Sequence, residues 1–153
     1  MDPHASGLIA AIAVSLLAVL VHYEGLRAIS YSAERAPGPR RLRIVVLILA
    51  VLIAHASEAG LFAITYWLGA GPLHFGRFVG DAPKTAFQFY YFALETYTTQ
   101  SVGDLYPIGG LRVVASLEPL VGLLLVGWST SLTFLAMRRF WSLDGETSDL
   151  AEK

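Results

Sequence analysis

Two clusters of polar residues interrupt long apolar runs in this 153-residue chain, and their types limit the chemistry open to it. The first is Thr98-Thr99-Gln100-Ser101-Val102-Gly103-Asp104, a run of hydroxyl and amide oxygens ending in a glycine and a carboxylate, with Glu95 just before it. The second is His55-Ser57-Glu58, inside an otherwise aliphatic stretch. Oxygen-rich groups of this kind suit cations and protons better than covalent catalysis. The chain has no glycine-rich phosphate loop, nucleophile triad or zinc-ligand spacing, which argues against an enzyme. It has no cysteine, which excludes disulfides and thiolate metal sites, and its net charge of -1 gives no reason to expect nucleic-acid binding.

The elements that must hold these residues are membrane helices. Hydrophobic residues make up 55% of the chain. They concentrate in 6–26, 44–68 and 113–137, each near the ~20 residues needed to cross a bilayer. Residues 27–43 carry five arginines around a Pro37-Gly38-Pro39 turn signal, which marks the cytoplasmic side and places the N-terminus outside and the C-terminus inside. The N-terminus, starting Met1-Asp2-Pro3-His4, lacks the basic start of a secretory signal, so the first apolar run reads as a retained helix. Arginine over lysine and a high alanine content suggest a bacterial inner membrane. The acidic residues 141–153 read as a short solvated cytoplasmic tail.

A fourth apolar segment, 85–99, is too short to span. Thr85 followed by Gln88 has capping-box spacing, and Pro83 lies just upstream. Periodicity alone leaves two readings, an aromatic helix lying flat in the interface or a re-entrant helix. Irregular backbone at membrane depth is tolerated only when buried in protein or lining a water-filled cavity. TTQSVGDLYP after a short helix meets that condition if the loop returns outward along a pore.

Residues 85–137 resemble the pore module of potassium channels, in which a pore helix, a filter and an inner helix follow an outer helix. The family pattern T-T-V-G-Y-G-D, often followed by L-Y-P, compares with Thr98 to Asp104 and then Leu105-Tyr106-Pro107. The resemblance implies an all-α homotetramer in which the 44–140 module (pore helix 85–97, filter 98–104) is joined to an N-terminal unit, 1–43, with a peripheral transmembrane helix. Monovalent cations, K+ or Na+, would pass carbonyls of Thr99, Gln100, Ser101 and Val102, with the Thr99 hydroxyl at the inner mouth. No other cofactor is implied, and the partners are further copies of the chain and the lipid bilayer.

Two positions depart from the pattern. Ser101 stands where the family has glycine, and Val102 where it has tyrosine, so K+ selectivity is expected to be weakened. Left-handed backbone costs a non-glycine residue roughly 1–2 kcal/mol, incurred four times in a tetramer. By the same resemblance Glu95 and Asp104 form a carboxyl pair behind the filter, with Glu95 protonated and donating; the simpler reading leaves Asp104 solvated at the mouth. Glu118, next to Pro119, would support the filter from behind, toward Gln100. Gly122, Gly127, Thr130 and Phe134 are cavity or gate candidates, although close helix packing is the more common use of a membrane glycine. His55 and Glu58, three apart on one face, would form a proton-sensitive gate or an interhelical polar contact, two ligands being too few for a metal.

Two other classes remain open. One is a non-conducting scaffold or accessory subunit that keeps the pore-loop fold. The other is a binding site for a hydrated or divalent ion at Ser101 and Asp104.

Overall fold

The computed structural model describes residues 2–35, 37–100 and 103–141, with side chains described through residue 139. Three helices in it are long and apolar enough to cross a membrane: α1 (Pro3–Arg35), α2 (Arg40–Ala70) and α4 (Gly110–Trp141). The chain is therefore a multi-pass, mostly helical membrane protein. Between α2 and α4 lie a strand β1 (Gly76–Gly80), a short helix α3 (Ala86–Tyr97) and a strand β2 (Leu105–Gly109).

All three long helices outrun the segments read from hydropathy. The arginine-containing stretch 27–43, expected as a loop, is mostly helical, with Pro37, Gly38 and Pro39 between α1 and α2. Gly38 sits there at φ 111°, and Pro39 precedes the first turn of α2 as its N-cap. Arg139 of α4 pairs with Glu34 of α1 at this arginine-bearing end, and Glu24 with Arg27 at 3.2 Å along α1.

Helix α1 buries Gly7, Ala11, Val14, Ala18, His22 and Leu26, a stripe of mostly small residues at three- and four-residue intervals. Small side chains let backbones approach: a Cβ on Gly7 would collide with the Gly110 backbone. The stripe packs α1 against both α2 and α4.

The opposite end is closed by a two-stranded antiparallel sheet pairing Gly76 with Gly109, Phe78 with Pro107 and Gly80 with Leu105. Pro107 is compatible with pairing because both strands are edges. Phe78 projects from β1 onto Tyr66, Phe89 and Phe92, edge to face at 5.8, 5.8 and 5.0 Å between ring centres. That aromatic group fixes the start of α3 against α2. The expected capping box is formed: the Thr85 side chain accepts from the Gln88 backbone, and Gln88 Oε1 accepts from the Thr85 backbone. Helix α3 covers 86–97, and Thr85 is its cap.

Candidate functional site

Helix α3 runs into the bundle. At 12 residues it is ~18 Å long. Its last residue, Tyr97, is buried, and its hydroxyl donates to Glu58 Oε2 at 2.5 Å. Glu58 itself lies ~18 Å along α2 from the sheet end, near the middle of that helix. Gly122 of α4 seats the same turn from the other side, because a Cβ there would run into the Tyr97 carbonyl oxygen. Of the two uses considered for Gly122, close packing is the one its surroundings explain.

The chain then turns sharply. Gln100 N–H donates to the Glu95 carbonyl at 2.8 Å and Thr99 N–H to the Thr96 carbonyl at 3.0 Å, the paired bonds of a Schellman cap. The residue that must be left-handed in such a cap is usually glycine. Here it is Thr99, at φ 64°, a conformation costing a β-branched residue on the order of 1–2 kcal/mol. Thr98 folds back, its hydroxyl donating to the Leu94 carbonyl at 2.8 Å. Thr98 to Gln100 thus form the exposed, capped end of α3. Ser101 and Val102 lie outside the described residues, as does the tail from residue 142. Gly103 resumes at φ 81° with open space around it, so backbone conformation and not crowding is what calls for glycine there. By Leu105 the chain is back in the two-stranded sheet, and the Asp104 carbonyl accepts from Asp81 N–H at 3.3 Å.

A cavity of about 290 Å³ lies in this bend, lined by Phe92, Glu95, Thr99, Gln100, Asp104 and Pro119 among others. Glu95 and Asp104 both reach it, but no hydrogen bond joins them. Glu95 Oε1 is buried with no partner. The expected Glu95–Asp104 brace is therefore not made within one chain. Glu118 is also placed differently from expectation: its Oε2 accepts from the Tyr66 hydroxyl, not from Gln100, and its Oε1 is buried without a partner.

Deeper in the bundle is a polar cluster that joins α1, α2, α3 and α4. His22 Nδ1 lies 2.7 Å from Glu58 Oε1, and His55 Nδ1 lies 3.1 Å from Glu58 Oε2 and 2.9 Å from the Tyr97 hydroxyl. The outward nitrogens converge on Ser129 of α4, His55 Nε2 at 3.0 Å and His22 Nε2 at 3.3 Å from Oγ. The expected His55–Glu58 pair is present within a larger constellation. Spacing does not reveal that His22, Tyr97 and Ser129 belong to it, and hydropathy places His22 near the end of a span, whereas α1 continues for 13 residues past it.

The remaining candidates are exposed on α4. Gly127 has open space where a Cβ would stand, the Thr130 hydroxyl donates to the Val126 carbonyl at 2.8 Å, and Phe134 is 58% exposed. These residues share the helix with exposed Leu120, Leu123 and Leu124, a surface left open to lipid or to other chains. No family model, curated protein or solved structure matches the chain.

Proposed function

We propose that this chain is the subunit of a homotetrameric cation channel whose Thr98–Asp104 loops meet on a common axis and pass monovalent cations. The observation that carries the reading is the re-entrant path. The chain leaves the β1–β2 sheet through α3, reaches the depth of Glu58 in mid-α2, turns at Thr99, and is back in the sheet at Leu105. Irregular backbone at that depth needs protein or water around it, and within one chain Thr98, Thr99, Gln100, Gly103 and Asp104 are exposed. Neighbouring copies around a water-filled path would supply both. The orphaned Glu95 Oε1 beside the same bend is a second group that assembly would satisfy.

The short helix contributes electrostatically, since its C-terminal end carries partial negative charge at mid-membrane and favours a cation beyond it. Selectivity for K+ over Na+ is weak in this proposal because Ser101 and Val102 replace the filter's usual glycine and tyrosine. The arginine-bearing ends of the helices face the cytoplasm, and the β1–β2 sheet faces outward.

The test is flux from vesicles containing the purified chain, comparing K+ with Na+ and the parent with Ser101→Gly. Cation leak, with greater K+ preference in Ser101→Gly, is the expected result. Silence toward both ions from a correctly folded protein would leave the scaffold reading in its place.

A further inference from the structure

We propose that His22, His55 and Glu58, with the Tyr97 phenol oxygen as a fourth donor, form a binding site for a divalent transition-metal cation of the zinc class. The ligating atoms of the first three all lie within 4.8 Å of one another, although they come from two different helices, and Tyr97 brings a third. This site is separate from the filter loop and does not depend on whether the chain conducts.

The donor set decides the class of ion. Two imidazoles with a carboxylate suit zinc and its first-row neighbours, whereas calcium and magnesium call for oxygen donors in larger number. The outward hydrogen bonds support the same conclusion. Ser129 Oγ can accept from Nε2 of both His22 and His55, which leaves the Nδ1 lone pair of each ring directed at Glu58. An imidazole whose far N–H is held by an oxygen acceptor is the usual outer-shell arrangement around a bound metal.

Size and charge are compatible as well. The hydrogen-bonded pairs among the inward donors stand 2.5–3.1 Å apart, bridged by shared protons, and the other pairs among His22, His55 and Glu58 lie within 4.8 Å. A tetrahedral ion with ligand distances of about 2.0–2.1 Å would set its donors about 3.3 Å apart, so the hydrogen-bonded pairs open slightly and the wider ones close. On binding, the proton between His22 and Glu58 leaves to solvent. If Tyr97 also ionises, a dication with one carboxylate and one phenolate has no net charge, which suits a site surrounded by apolar helices. His22 and Glu58 are fully buried, and the His55 side chain, 14% exposed, gives the ion its approach. A bound ion would tie α1 and α2 to the last turn of α3, immediately before the loop.

The experiment is metal binding by the full-length purified protein, stripped with chelator and titrated with cobalt(II), followed by displacement with zinc. The expected result is one cobalt per chain with the visible absorption of a four-coordinate ion, proton release on binding, and displacement by zinc. His22→Gln, His55→Gln and Glu58→Gln should each abolish that absorption, and Ser129→Ala should weaken binding about 10–100-fold. Thermal unfolding of each variant separates lost ligation from lost fold, and the parent's stoichiometry stands independently of all of them. Failure of the folded parent to bind cobalt or zinc stoichiometrically would overturn the proposal. So would undiminished binding in folded His22→Gln and His55→Gln, which would place the metal elsewhere.

Discussion

The two sides of the short helix's last turn differ in how completely one chain satisfies them. On the inner side, the His22–His55–Glu58–Tyr97–Ser129 cluster is closed by hydrogen bonds from four helices. On the outer side, Thr98, Thr99, Gln100, Gly103 and Asp104 of the bend are exposed, Thr99 holds a left-handed backbone, and the bend lies beside an unpartnered carboxyl oxygen. The comparison separates scaffold from surface. Tyr97 anchors the helix to its own chain, and the residues just after it are left for whatever lies outside that chain.

Breaking the inner cluster should have the largest effect. Glu58→Ala leaves His22 and Tyr97 buried without their central acceptor, and removing one member of a buried charged or hydrogen-bonded set costs about 3–5 kcal/mol. Thermal denaturation in detergent should show that loss as a marked fall in melting temperature. Gly122→Val comes next. Its side chain would meet the Tyr97 carbonyl, where overpacking costs about 1–3 kcal/mol, while Gly127→Ala, in open space, should be nearly silent in the same assay. Tyr97→Phe removes a hydroxyl that serves both Glu58 and His55 and should cost about 1–3 kcal/mol, seen as faster hydrogen exchange in α3. The smallest effect is expected from Thr99→Gly, which relieves left-handed strain on the order of 1 kcal/mol at the outer bend and should raise the melting temperature slightly. A fall would show that the Thr99 side chain contributes more than its backbone costs.

Local signals are legible in the sequence, and distant pairings are not. The three apolar runs and the Thr85–Gln88 capping box depend on residues within a turn or two of each other, and the structure has both. The β1–β2 sheet joins 76–80 to 105–109 across the whole of α3, each strand being five residues with glycine at one or both ends, so neither carries a periodic pattern of its own. His55 and Glu58 share a helix face and can be paired by spacing. His22 meets Glu58 across 36 residues of chain, and only the packing of α1's small-residue stripe brings it there. Glu118 illustrates the same limit, since nothing near it in sequence points to Tyr66, 52 residues away.

The central claim is that the outer bends of several chains line one cation path. A cysteine-free chain permits a direct measurement: Gln100→Cys in reconstituted vesicles, treated with an impermeant, positively charged thiol reagent while K+ flux is followed, beside Tyr31→Cys at the arginine-bearing end of α1. If the bends surround the path, modification at residue 100 abolishes flux and modification at residue 31 leaves it unchanged. Full labelling of Cys at position 100 with unaltered flux would contradict it.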